Sequence, residues 1–308
     1  MGIYQVGEVI RRTRESMGIT QEKLSDGICS VENLSRIETG KVRPNRNTFE
    51  KLMERLGRSG EKYLPFVRGE DMETHILRGK ISNLIGNCRY EEVEILLDKL
   101  EEKLDMNDSV NKQYIWRVRA LVDYRLGKIT SEQKKVQLEN ALRCTIPEYQ
   151  NEILPNQIFT RIEIFIYCNI AVLYAEKGEL DKAIVMLRQV EHYFEKEKID
   201  SKERSISEVL ALSNLAQCLG RKGDYIEARS KHRKVKEICM DNKRTSDLAR
   251  ELYDIAYDNE KLGEPLEMCK IELLQAYYVA RLGKNVMQMN HIRKHVKEMY
   301  NIDFLKEI

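Results

Sequence analysis

Proline occurs at 44, 65, 147, 155 and 265 and nowhere else in the 308 residues, so the stretches 66–146 and 156–264 contain none. Proline lacks a backbone N–H and clashes with the preceding turn, which makes it the strongest local break a helix meets. Both stretches are rich in Leu, Lys, Glu and Arg, the residues that cost a helix least. The chain is therefore expected to fold as an all-α protein.

Charged residues make up 33% of the sequence and apolar residues 42%, enough core formers to exclude a disordered chain. The longest apolar run, 164–175, is interrupted by Asn169 and is shorter than the roughly 20 residues a bilayer span needs. Residues 1–6 lack the basic start and apolar run of a secretory signal, and Val6 stands where myristoylation wants Ser or Thr. A cytoplasmic location is expected. The seven cysteines, at 29, 88, 144, 168, 218, 239 and 269, are never closer than 21 residues. Disulfide frameworks and zinc sites need clustered cysteines, so reduced thiols packed as small apolar residues are expected. His291 and His295 are four apart, but they lack the Glu of an HExxH motif. No GxGxxG, P-loop or GxSxG pattern occurs. The expectation is a protein without cofactor, metal or catalytic residues, and not an enzyme.

Charge separates two parts. Residues 1–66 hold 12 Lys and Arg against 9 Asp and Glu, while the remainder holds 40 against 41. Between 36 and 46, Arg36, Lys41, Arg43 and Arg46 face only Glu38. In this part Val9, Ile10, Thr13 and Met17 recur at helical spacing, and Gly18 offers the left-handed residue that ends a helix. Thr20 is a good N-cap for a short helix from Gln21 to about Asp26, which Gly27 breaks. Ser30 caps the next helix, whose apolar positions Leu34 and Ile37 leave Glu32, Asn33, Ser35 and Arg36 free to face outward. Gly40 and Pro44 end it, and Phe49, Leu52, Met53 and Leu56 mark a further amphipathic helix. Two short helices joined by a tight glycine-containing turn lie across one another, so that the second can enter a major groove.

The stretch 18–25, then 27–30, then 34–41 followed by Pro44, resembles the Cro/repressor-type (XRE) helix-turn-helix. The Gly27-Ile28-Cys29-Ser30 turn and the helix from Leu34 to Gly40 resemble more narrowly the Rgg/NprR/PlcR/PrgX group of peptide-pheromone receptors. The resemblance implies that Gln21 contacts a phosphate and holds the recognition helix. It implies that Ser30, Val31, Glu32 and Asn33 point at base edges, with Ser35 beside them. Arg36 could reach a guanine or a phosphate, and Lys41, Arg43 and Asn45 would track the backbone. Glu32 and Arg36, four apart, could instead pair with each other.

The second part repeats itself. Asn169-Ile170-Ala171, Tyr174, Gly178 and Ala183 recur 45 residues later as Asn214-Leu215-Ala216, Leu219, Gly223 and Ala228. Asp254-Ile255-Ala256, Asn259 and Gly263 follow 40 residues on, with Met268 in the last place. Trp116, Ala120 and Gly127 fit the frame upstream, and Ala276, Val279 and Gly283 downstream. A small residue lets two antiparallel helices approach, and the glycine allows their turn. This resembles tetratricopeptide (TPR) repeats, although the spacings exceed the ~34 residues of that repeat. The expected architecture is a five-helix helix-turn-helix domain over 1–66, a linker over 67–75, and a right-handed superhelical solenoid of TPR-like helix pairs over 76–308.

In such repeats the first helix of each pair lines a groove. Phe165, Cys168, Val172, Gln217, Arg221, Arg250, Tyr253 and Tyr257 fall near the same face by helical spacing. The family resemblance implies that Asn169 and Asn214 hold an extended peptide's backbone, a use to which a carboxamide's donor and acceptor suit it. Alternatively, each Asn ties one helix to the next. Asp254 departs from Asn at the third position and could prefer a cationic or amide group. The last helices, carrying Tyr277, Tyr278, His291, His295, Met299 and Tyr300, resemble those through which such receptors pair as homodimers. The reading is a DNA-binding transcriptional regulator whose repeats bind a short signalling peptide in quorum sensing. The alternative is a protein-interaction module with a DNA-targeting head, controlled by a protein partner.

Overall fold

The computed structural model of the chain describes residues 6–58, 71–86, 88–150, 159–196 and 201–301. Among the described residues there are fifteen helices and no strand. They are α1 (Val6–Ser16), α2 (Gln21–Ser25), α3 (Val31–Glu38), α4 (Arg46–Arg55), α5 (Asp71–Gly86), α6 (Tyr90–Glu101), α7 (Ser109–Arg125) and α8 (Ser131–Arg143). There follow α9 (Arg161–Glu176), α10 (Leu180–Lys196), α11 (Ser201–Lys222), α12 (Tyr225–Asp241), α13 (Thr245–Lys261), α14 (Leu266–Leu282) and α15 (Val286–Tyr300). Residues 59–70, where the fifth helix of the head and the start of the linker were expected, lie outside the described residues. The end of that expected linker, 71–75, is the first part of α5.

The chain divides into two compact units, Met1–Leu173 with Lys198–Glu203, and Tyr174–Glu197 with Arg204–Ile308. In the first, the short helices begin where side chains accept the orphan N–H groups: Thr20 from Lys23, Ser30 from Asn33 and Asn45 from Thr48. Their inward faces, Ile10, Leu24, Leu34, Ile37, Phe49, Leu52, Met53 and Leu56, form one core that also takes in Val110 of α7.

That shared valine marks a docked head. Ser109 donates to the carbonyl of Gly27 at 2.7 Å, and Asn47 donates to Asn111 at 2.8 Å. Gly27 adopts φ +63°, and a Cβ there would sit 1.9 Å from the carbonyl oxygen of Thr145. Only glycine satisfies both the left-handed turn and the close approach of that backbone. The turn between α2 and α3 is thus also the place where the loop after α8 meets the head.

In the second unit, Val209 and Leu212 of α11 pack with Val235 and Cys239 of α12. Ala249, Leu252 and Ala256 of α13, Leu273, Ala276, Tyr277 and Ala280 of α14, and Ile292 and Val296 of α15 form the next core. The repeat frame holds at its small residues: Ala120, Ala171, Ala216, Ala256 and Ala276 are all fully buried. Gly127, Gly178, Gly223 and Gly263 end α7, α9, α11 and α13 with positive φ. At the last repeat the frame slips by one: Gly283 is right-handed and Lys284 takes the positive φ. In the repeat before it, Met268 is exposed and Cys269 is the buried residue in the first turn of α14. No described helix is long and apolar enough to cross a membrane.

Candidate nucleic-acid interface and ligand-binding face

Helix α3 is held from behind. Its buried residues are Leu34, Ile37 and Glu38, and the Glu38 carboxylate is 1% exposed. Arg14 of α1 grips that carboxylate with Nε at 2.6 Å and Nη2 at 2.8 Å, and spends Nη1 on the Ile19 carbonyl at 3.0 Å. Gln21 donates Nε2 to the same carboxylate at 2.6 Å. A forked guanidinium on a carboxylate is a strong and directional pair, and here it fixes the end of α3 against α1 and α2. The hydrogen bond to Glu38, although burial works against it, holds the Arg14 guanidinium above its ordinary pKa. Sequence reasoning did not single out Arg14, and it counted Glu38 only as the one acid among the basic residues between 36 and 46. The signal was an acid placed one residue after the apolar Ile37, on the inward side of an amphipathic helix.

The outward side of α3 presents Val31, Glu32 and Arg36 as exposed residues, with Asn33 and Ser35 half-buried. Ser30 and Asn45 each use a side-chain oxygen as a cap, at 3.2 Å to the Asn33 N–H and 2.7 Å to the Thr48 N–H. Lys41 and Arg43 are exposed on the loop between α3 and α4. Glu32 and Arg36 form no ion pair with each other among the described residues, so Arg36 stands free at the surface. The carboxamide of Gln21 reaches inward to Glu38, which is the holding half of the role the resemblance implies for it.

The head is tied to the repeats by charge as well as by apolar packing. Arg55, 2% exposed, places Nη2 at 2.9 Å from Oε1 of the fully buried Glu163 on α9 and donates Nη1 to the Asp26 carbonyl. Glu163 is satisfied on its other sides by the Thr145 hydroxyl at 2.6 Å and the Thr160 N–H at 2.6 Å. Beside it, Glu54 pairs with Arg161 at 3.2 Å and with Lys51 at 3.1 Å.

On the repeat faces, α9 carries Phe165 and Asn169 in the first unit. Phe165 is half-buried under the Arg117 guanidinium, 5.2 Å from the ring centroid. In the second unit, Asn214 lies on α11 and Asp254 on α13. Asn169 and Asn214 are both half-buried, and no described residue makes a hydrogen bond to either carboxamide. Several of their expected companions are committed elsewhere. Arg221 donates to the Ala175 carbonyl at 2.8 Å, and Tyr253 bonds His295 at 3.2 Å. Arg250 reaches Glu251 at 3.1 Å, although its side chain is 41% exposed. Gln217 is exposed, and Tyr257 stays exposed with Lys261 over its ring at 5.1 Å.

Asp254 belongs to a group that local spacing did not reveal. His232 of α12, only 2% exposed, sets Nδ1 at 2.7 Å from Oε2 of the fully buried Glu251. Asp254 and Asp258 each bring Oδ2 to 4.0 Å from the same ring, on Nδ1 and Nε2 respectively. Burial pushes both aspartates up to about 6, with the Glu251 carboxylate adding to the rise and His232 opposing it. The imidazole is raised: burial opposes its charge, but the bond to Glu251 and the surrounding carboxylates outweigh that cost. The sequence signal was present in Glu251, Asp254 and Asp258, which share one face of α13, but the histidine comes from a different helix.

Residues 10–63 match the family described as Helix-turn-helix. No curated protein matches the chain. Among solved structures, PlcR of Bacillus thuringiensis in complex with the peptide PapR7 and DNA is 20% identical over 94% of this chain and 99% of that chain, with TM-score 0.65. The apo form of the same protein is 19% identical, covers 97% and 100%, and has TM-score 0.59. ComR from S. thermophilus in complex with DNA and its signalling peptide ComS is 15% identical, covers 94% and 98%, and has TM-score 0.53. The chain thus carries a helix-turn-helix at residues 10–63 and shares, over nearly its whole length, the all-α fold of PlcR and ComR.

Proposed function

We propose that this protein is a peptide-responsive, DNA-binding transcriptional regulator. The observation that carries the proposal is an outward-facing α3 braced by Arg14, Gln21 and Glu38; on α9 of the first unit and, separately, on α11 of the second, a half-buried Asn carboxamide has no hydrogen bond among the described residues. The solved relatives bound to DNA and to PapR7 or ComS share this fold. In the head, Val31, Glu32, Asn33 and Arg36 are the residues available to base edges, and Lys41 and Arg43 to phosphates.

The first unit supplies a route between ligand and DNA. Helix α9 carries Glu163, which clamps Arg55 of the head, then Phe165 about half a turn on and Asn169 between one and two turns on. The rise from Glu163 to Asn169 is about 9 Å along the helix. A peptide that shifts or stiffens α9 therefore acts on the seat of α4 directly. It can do so only to the extent that it binds one seat better than another. Leu282, Val286 and Met287, which are 84%, 64% and 73% exposed around the turn from α14 to α15, favour a homodimer through the last helices. Two heads could then meet half-sites about 34 Å apart.

The test is mass spectrometry of peptides retained by the purified chain from a spent-medium extract, run beside the Asn169→Ala, Asn214→Ala double variant. A peptide held by the native chain and released by the folded variant supports the reading. Nothing retained by either, with a protein partner recovered instead, overturns it.

A further inference from the structure

The His232 cluster has the makings of a site rather than of an ordinary buried ion pair. The donor atoms of His232, Glu251 and Asp254 all lie within 4.8 Å of one another, which is the span a single ion bridges with small adjustments of side chains. Glu251 is held from behind. The Ser213 hydroxyl at 2.7 Å and the Arg250 guanidinium at 3.1 Å and 3.2 Å take Oε1 of Glu251 and leave Oε2 turned to His232. Asp254 Oδ2 is buried and accepts no hydrogen bond.

The independent observation is Asp258. Its side chain is 4% exposed, its Oδ2 accepts no hydrogen bond, and that oxygen faces the far nitrogen of His232. A buried carboxylate oxygen without a donor is costly, and native structures keep few of them without a reason. Two such oxygens, one on either side of a single imidazole, match the order metal – imidazole – carboxylate. In that order a neutral histidine ligates through one nitrogen and donates its other N–H to an acid. Asp254, whose side chain is 20% exposed, leaves the cluster a way in from solvent.

We propose that His232 Nδ1, Glu251 and Asp254 bind a divalent first-row transition-metal ion, with Asp258 orienting the imidazole through Nε2. One imidazole with two carboxylates is a donor set suited to zinc, manganese, iron(II) or cobalt(II), and too nitrogen-rich for a calcium cage. The ion crosslinks α12 to α13, beside Asp254 of the expected peptide face. The proposal goes beyond the regulatory reading and does not depend on it, because uptake is measured with the metal alone.

The experiment is titration of the purified full-length chain with cobalt(II), followed by visible absorption, metal analysis after dialysis, and melting temperature. One equivalent should bind, with the spectrum of nitrogen and oxygen ligands, and should raise the melting temperature. Asp254→Asn keeps the size of a side chain whose buried Oδ2 accepts no hydrogen bond, so the metal-free variant melts no lower than the native chain, yet it loses the equivalent and the rise. Asp258→Asn keeps the three ligands and weakens binding about 10- to 100-fold. His291→Ala, outside the cluster, leaves uptake unchanged. No stoichiometric uptake, a thiolate charge-transfer spectrum, or uptake that survives Asp254→Asn would each overturn the assignment.

Discussion

Arg55 and Glu163 stand 108 residues apart in sequence and meet at 2.9 Å, both out of contact with water, one at the end of α4 and the other in the first turn of α9. This pair seats the head on the repeats. Deleting one partner of a buried pair strands the other charge and costs about 3–5 kcal/mol. Glu163→Gln should lower stability by that order and should shift the midpoint of urea unfolding rather than its slope. A loss below about 1 kcal/mol, the value of an ordinary surface pair, would mean that the seat rests on apolar packing alone.

The neighbouring Glu54 makes the seat sensitive to acid. Burial disfavours its charge, but Lys51 and Arg161 outweigh burial and hold the carboxyl below its ordinary value. A carboxyl depressed in the folded state stabilises fully above its unfolded pKa, and that stabilisation is lost as pH falls through the folded one. Glu54→Gln should therefore destabilise at neutral pH, and its difference from the native chain should close below about pH 4. Equilibrium unfolding of both proteins across that range checks it; a difference unchanged by pH speaks against the ion pair.

Arg36 and Arg43 are both exposed and should nonetheless fail differently. If Arg36 contacts a base edge, as proposed, Arg36→Ala should weaken a specific duplex by about 1–3 kcal/mol while sparing random DNA. If Arg43 contacts a phosphate, as proposed, Arg43→Ala should weaken all duplexes alike and flatten the salt dependence. Equal losses on specific and random DNA in both variants would remove the distinction.

Glu38→Gln keeps the size of the brace and removes its charge. The Arg14 fork then loses its carboxylate, and α3 loses its fixed angle to α1. Specific DNA binding should fall at least tenfold while circular dichroism stays helical. Unchanged binding would show that the apolar core alone positions α3.

The head was legible because its signals are local. Thr20, Ser30 and Asn45 cap where their chemistry requires, and Gly27 stands where a left-handed turn is needed. The repeat frame was legible from Ala171, Ala216 and Ala256, because a small residue at a helix crossing leaves a periodic mark. What stayed hidden depends on residues far apart in sequence. Nothing near Arg55 announces Glu163, and nothing near Gly27 announces the Thr145 carbonyl. Helical spacing likewise grouped Arg221, Arg250 and Tyr253 with Asn214. It could not show that Arg221 bonds a carbonyl, that Arg250 bonds Glu251 and that Tyr253 bonds a histidine, while the Asn214 carboxamide has no hydrogen bond among the described residues. A face says where a side chain starts, and partners from other helices decide where it ends.

The most direct test of the regulatory account begins with enrichment of duplexes bound by the full-length chain from a random pool. The affinity of the selected duplex is then measured with and without the peptide the chain retains. The account predicts a change of about 5- to 150-fold on adding peptide, abolished in the Asn169→Ala, Asn214→Ala variant and also in Glu163→Gln, which uncouples α9 from the head. An affinity that is the same with and without bound peptide would contradict it.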